Sequence, residues 1–128
     1  MLRATINSLV ISVIFLAFPL KADTVKLIGR PAFESVRIVD CRAGRLAFRG
    51  VSEEILRKAL AEVEWFDCEA SSALSKAERL RAVADFSAAL ELYAGVSTTG
   101  EHWLAEVCSR RIIDCANRCG RPDRAVAA

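Results

Sequence analysis

The chain has little of what most catalytic centres are built from. It holds one histidine, one methionine and one tyrosine in 128 residues, so paired imidazole chemistry and a Met-rich adaptable surface have almost nothing to draw on. No two cysteines are spaced C-x-x-C, which leaves out the thioredoxin-type redox motif and the zinc knuckle. Charge of one sign is scarce as well: 18 Lys and Arg face 16 Asp and Glu. Arg3 and Lys21 are the only charged residues among the first 22, so the remainder carries 16 of each sign. That balance speaks against nucleic acid, whose binding rests on surplus Lys and Arg neutralising phosphates. It also removes electrostatic attraction to an anionic membrane. The hydrophobic content of 53% suffices for a packed core and argues against intrinsic disorder.

One long apolar run is present, at the start. Arg3 stands in a short leading segment, Leu9–Leu20 is apolar apart from Ser12 and Pro19, and Lys21-Ala22 precedes charged Asp23. This is the order of a secretory signal peptide: charged n-region, apolar h-region, small residue before the cut. The run is shorter than the roughly 20 residues of a spanning helix, and Pro19 breaks it. Residues 1–22 are therefore expected to be a signal peptide, with export to the periplasm or the extracellular space and a mature chain beginning at Asp23. A membrane is involved only if this segment stays uncleaved.

Five cysteines follow, Cys41, Cys68, Cys108, Cys115 and Cys119. Export permits disulfides, and an odd number leaves at least one thiol unpaired within the chain. The expectation is a single Cys41–Cys68 cross-strand bond or none, with the last three reduced and buried on one helix.

Residues 23–70 read as a β-rich module. Val25 and Leu27 flank Lys26, Val36 and Ile38 flank Arg37, and Leu46 and Phe48 alternate with Arg45, Ala47 and Arg49. Arg42-Ala43-Gly44 supplies a hairpin turn, and Gly50-Val51-Ser52 another. Residues 53–67 fit either a helix capped by Ser52 or two further strands; the alternation around Trp65 favours strand at its end. A small, bent antiparallel sheet or barrel results.

Residues 71–128 read as helical. Ser71-Ser72 offers an N-cap, and Ala82, Phe86, Ala89 and Tyr93 share a face. Thr98 and Glu101 are spaced as a capping box for the next helix, which carries Leu104, Cys108, Ile112 and Cys115 to Gly120, a natural helix stop. Within this region, Ala84 to Tyr93 resembles the turn and second helix of a tetratricopeptide repeat, with Ala77 and Leu80 at the small and large positions of its first helix. Gly120 to Val126 repeats the turn 36 residues after Ala84, close to the family's period of about 34. Ala73 stands where the family has Trp, Ala84 where it has Gly, and the second unit is incomplete. The whole is similar to small exported bacterial proteins that join a short β module to helical repeats. The resemblance implies helical hairpins that present a groove to a peptide or protein partner. The fold class expected is α+β, a sheet or barrel-like module followed by TPR-like hairpins.

The chemical candidates weaken on inspection. His102 stands beside Trp103 with no partner fixed by spacing, and with Cys108 it gives two metal ligands where three or four are needed. Cys108, Cys115 and Cys119 share an apolar helix face and behave as small hydrophobes. Glu62, Glu64, Asp67 and Glu69 form a solvated acidic cluster. Arg110, Arg111, Arg118, Arg121 and Arg124 make a basic C-terminal region that serves helix ends and solubility, or else docks an acidic partner. No catalytic, cofactor or metal residue is assigned. The reading is an exported non-enzymatic interaction or scaffold module, binding a protein or peptide, a second copy included. The alternative is a small periplasmic cysteine-dependent enzyme or redox protein.

Overall fold

A computed structural model of the protein describes residues 22–127. The expected signal peptide, apart from Ala22, lies outside the described residues. Among them the chain forms five strands and then four helices. The strands are β1 (Asp23–Leu27), β2 (Phe33–Arg42), β3 (Arg45–Arg49), β4 (Ile55–Ala59) and β5 (Val63–Asp67), with a 3₁₀ turn, Leu60–Glu62, between the last two. The helices are α1 (Ser72–Ala82), α2 (Phe86–Ala94), α3 (Leu104–Arg118) and α4 (Pro122–Ala127). The fold is α+β, an open antiparallel sheet followed by helices.

The sheet runs β4-β3-β2-β1-β5. Its two edge strands are therefore consecutive in sequence and joined only by the 3₁₀ turn. Four strand spacings of about 4.8 Å would hold the edges of a flat sheet roughly 19 Å apart, while three residues of 3₁₀ helix rise only about 6 Å. The sheet must curl until its edges approach at that end. Two backbone bonds fix the turn across the opening: Leu60 N–H donates to Gly44 O at 2.9 Å, and Ile28 N–H to Glu62 O at 3.0 Å. Long β2 makes the curl possible. Its first half pairs with β1 and its second with β3, with a register shift between Ile38 and Asp40. Such a bulge bends a strand.

The hairpin between β2 and β3 turns at Ala43 and Gly44, with φ of +52° and +74°. Positive φ at both central residues is the twist-compatible primed turn. The ambiguous stretch 53–67 resolves as strand, 3₁₀ turn and strand. Leu46 and Phe48 are buried as expected, but so is Ala47, central in β3 between two partner strands.

The helices pack in chain order, α1 on α2, α2 on α3 and α3 on α4, with α1 also against β5 and α3 against β2. Ser71 caps α1 through its hydroxyl, which accepts from Leu74 N–H. Asp85 caps α2 in the same way. The capping box expected at Thr98 and Glu101 does not form. Residues 97–103 are irregular, α3 starts at Leu104, and its cap residue Trp103 bonds through no side chain. Trp103 is instead a core anchor, 1% exposed and edge-on to Phe66 with centroids 6.4 Å apart. Sheet and helices share one hydrophobic core among the described residues, running from Val25 and Phe48 through Phe66 and Trp103 to Leu90 and Cys115.

Candidate functional site

The chemistry of this molecule concentrates where α1 and α3 meet the 3₁₀ turn. Arg111 lies on the inward face of α3 and is 3% exposed. Its Nε and Nη2 donate to the two carboxylate oxygens of Glu78, at 2.9 and 3.0 Å, a bidentate pair. Its terminal nitrogens also donate to Leu60 O and Val63 O. Glu78, on α1, is fully buried and accepts a further bond from the Tyr93 hydroxyl of α2. Burial and the adjoining Glu78 carboxylate push the Tyr93 hydroxyl well above the usual phenol range. One network thus ties three helices to the strand junction. Isolated buried charges cost several kcal/mol, and here the pairing and the backbone carbonyls satisfy them.

Around this network opens a cleft of about 390 Å³. Four arginines line it, Arg81, Arg110, Arg111 and Arg118, over a floor of small residues at Ala43, Gly44, Ala59 and Ala61. Arg81 donates to Val63 O and Glu64 O at 2.9 and 3.1 Å and to Asp114 Oδ2 at 3.4 Å. Its buried Nε makes no hydrogen bond, with Glu78 Oε2 3.9 Å away. On α3 the residues Glu106, Arg110, Asp114 and Arg118 follow at intervals of four, so they stand one above the other. Arg110 Nε bonds Glu106 Oε1 at 2.7 Å, and Arg118 Nε bonds Asp114 Oδ1 at 2.8 Å. The Arg110 hydrogen bond holds the Glu106 carboxyl below its usual range, and the bond to Asp114 raises Arg118 further. Gly44 matters here: a Cβ on it would stand 3.0 Å from Arg110 Nη1, so a bare backbone lets Arg110 lie across the hairpin turn.

The basic region seen in the sequence is therefore divided. Arg111 is not a helix-end charge but a core residue, because the α3 periodicity turns position 111 inward with Cys108 and Cys115. Arg110 and Arg118 rim the cleft, while Arg121 and Arg124 pair with Glu91 of α2. The acidic cluster is likewise dispersed: Glu64 pairs with Lys26, and Asp67 with Arg79, which also stacks over Trp65 at 3.9 Å. His102 is exposed and bonds Asp40 at 3.1 Å.

All five cysteines are free thiols. Cys41 and Cys68 are not cross-strand neighbours, because β5 pairs with β1 rather than β2. Burial pushes Cys41, Cys108 and Cys115 up to about 11, and Cys68 upward too. A second cavity, of about 280 Å³, is lined by Asp23, Glu69, Glu101 and Trp103. The Asp23 carboxylate there is taken up by the N–H groups of Ile38 and Glu69 at 2.7 and 2.9 Å. Among the described residues no three His, Cys, Asp or Glu side chains are grouped to hold a metal ion, and no helix is long and apolar enough to cross a membrane.

Sequence reasoning missed Glu78 altogether. Its only signal is position: it follows Ala77 on the inward side of α1, one turn after Leu74. No family model matches the chain, and neither the curated proteins nor the solved structures give a match.

Proposed function

We propose that this protein is an exported, non-enzymatic interaction module that binds a peptide or protein partner through its helical region. The observation that carries the reading is the arginine-lined cleft at the foot of α1 and α3. Guanidinium groups donate hydrogen bonds in a fixed fork and do not exchange protons at accessible pH, so they suit recognition better than acid–base work. The sequential packing of α1, α2 and α3 is what a repeat-like array requires, in keeping with the tetratricopeptide-like pattern around Ala77 and Ala89. The cysteine-dependent alternative needs an accessible thiolate, whereas Cys41, Cys108 and Cys115 are buried and hold their protons to about 11; Cys119, expected buried on the same helix, instead follows the end of α3 and is half-buried, which makes it the thiol this alternative would have to use.

Site-specific photo-crosslinking tests it. A crosslinking residue is placed at exposed Val83 or Ile113 in the helical region, or at exposed Val51 or Ile28 in the turns between strands of the sheet. The expected outcome is an adduct of defined mass from the helical positions alone, in cells exporting the protein. Adducts from the sheet positions only would overturn the reading. So would rapid labelling of one native thiol at neutral pH, which would favour the cysteine-dependent alternative.

A further inference from the structure

We propose that the cleft between the 3₁₀ turn and α3 seats carboxylates of a peptide partner, each taken singly by Arg110 or by Arg118, which stand about 12 Å apart along α3. The inference rests on the peptide-binding reading above and names the chemistry of the segment bound.

The charges around the cleft do not cancel. Four guanidiniums, of Arg81, Arg110, Arg111 and Arg118, face three carboxylates, of Glu78, Glu106 and Asp114. Asp114 is shared by Arg81 and Arg118, which leaves one positive charge in excess. Arg110 and Arg118 are each bonded through Nε only, so their four terminal nitrogens make no hydrogen bond among the described residues. Both side chains are about half exposed, at 46% and 56%. The two guanidiniums are oriented before a ligand arrives: Arg110 by Glu106 and the Gly44 backbone, and Arg118 by Asp114, which it shares with Arg81, and by the Phe86 ring 5.2 Å away. The vacant terminal pair of a guanidinium matches the two oxygens of a carboxylate.

The remaining lining selects a peptide carboxylate over phosphate. The wall facing α3 is small and apolar, Ala43, Ala59 and Ala61 beside backbone at Gly44, and leaves room for the methylene stem of an acidic side chain.

The probes are three short peptides and one ion. Acetyl-tetraglutamate-amide carries side-chain carboxylates only, and acetyl-trialanine with a free terminus carries only the terminal one. Acetyl-tetralysine-amide reverses the sign, and inorganic phosphate supplies an anion without a peptide. Each is titrated into the ¹⁵N-labelled protein at low ionic strength, following backbone amides and arginine Nε–H. Saturable shifts centred on Gly44, Ala61, Arg110, Asp114 and Arg118 with tetraglutamate or trialanine are expected, and which of the two gives them separates a side-chain from a terminal carboxylate. Charge reversal at Arg110→Glu or Arg118→Glu should weaken binding by about tenfold or more. Arg118→Lys, which keeps the charge but loses the fork, should weaken it less. Because both residues are exposed, the variants should melt close to the parent. A melt that collapses is replaced by the Lys variants at both positions. The proposal falls if neither carboxylate peptide gives saturable shifts at the cleft, if tetralysine gives equal ones, if phosphate alone binds, or if the variants bind like the parent. Carboxylate binding at the cleft together with sheet-only crosslinks would sink the helical reading and keep the site; helical crosslinks without carboxylate binding would do the reverse.

Discussion

The sheet and the helices are assembled by different physics. Three of the four pairings in the sheet are close in sequence, β1 with β2 across residues 28–32, β2 with β3 across a two-residue turn and β3 with β4 across residues 50–54, and the pairing of β1 with β5 is the distant one. The apolar alternation that builds the sheet is visible residue by residue. Among the helices, α1 packs on β5, its neighbour in sequence, while α3 attaches through contacts distant in sequence. Arg111 reaches Glu78 across 33 positions and Leu60 across 51, and the groups involved are charged. A charged residue announces a surface in the sequence and a core only once its partner is known. Phe66 and Trp103 give the same junction its apolar half. The difference teaches that in a small chain the local hydrophobic pattern decides the elements, while a few polar residues decide how the elements dock.

Breaking the docking network should have the largest effect. Arg111→Met leaves Glu78 buried without its bidentate partner, and unpairing a buried charge typically costs about 3–5 kcal/mol. Since small domains have only about 5–15 kcal/mol in total, the variant should lose most of its urea resistance. Glu78→Leu combined with Arg111→Met replaces the whole pair by apolar volume and should recover a large part of the loss. A double variant no more stable than Arg111→Met alone would mean that the carbonyls of Leu60 and Val63, and not Glu78, are what Arg111 serves.

This contrast also explains what could be read beforehand. The primed turn at Ala43-Gly44, the cap at Ser71, and the inward Cys108 and Cys115 follow from local chemistry. The fate of residues 53–67 did not: Ile55, Leu56, Ala59 and Leu60 fit helical spacing, and only pairing with β3 and β1 selects extended backbone. The cap at Thr98 and Glu101 was outcompeted by the burial of Trp103, which holds the helix start at Leu104. In the site, the basic region was legible as a group of arginines. Its division into a buried Arg111 and rim residues Arg110 and Arg118 was not, because the other wall of the cleft comes from residues 43–61.

Alkaline titration compares the two regions through their thiols. Cys41 belongs to the sheet and Cys108 and Cys115 to α3, and all three are raised to about 11 by burial. A raised folded pKa means that the folded state keeps a proton which the unfolded chain releases near 9. The stability from that difference is intact below pH 9 and is lost as pH climbs from 9 to 11. Each thiol should cost on the order of 1 kcal/mol by pH 10. Cys108→Ala should therefore narrow the gap between urea midpoints measured at pH 8 and pH 10, whatever it does at pH 8. An unchanged gap would mean that the thiol titrates normally and is open to water.

The smallest expected effect concerns the turns within the helical region. α1 ends with Ala84 at φ +66°, Asp85 N–H donating to Leu80 O and Ala84 N–H to Arg81 O. That pair of bonds is the Schellman closure of a helix. α3 ends in the same manner 36 residues later, with Gly120 at φ +72° and Arg121 N–H bonded to Ala116 O. The two turns share a backbone but not a residue. Glycine takes the left-handed conformation freely, while a Cβ there meets the following carbonyl at a cost of about 1–2 kcal/mol. The difference at Ala84 is compensated by packing on either side, where Leu80 and Phe86 are part of the core boundary. Ala84→Gly should relieve this strain. Glycine's greater freedom in the unfolded chain takes back part of the gain, so the net expectation is about 1 kcal/mol of added stability, seen as a higher melting temperature by circular dichroism. Gly120→Ala should lose a similar amount, since a Cβ at that position meets no neighbour within 4 Å and only the backbone resists it. Equal and opposite shifts would make the two turns energetically equivalent. A neutral Ala84→Gly would show instead that the α1–α2 turn is stabilised by the side-chain cap of Asp85 and has no left-handed strain to release.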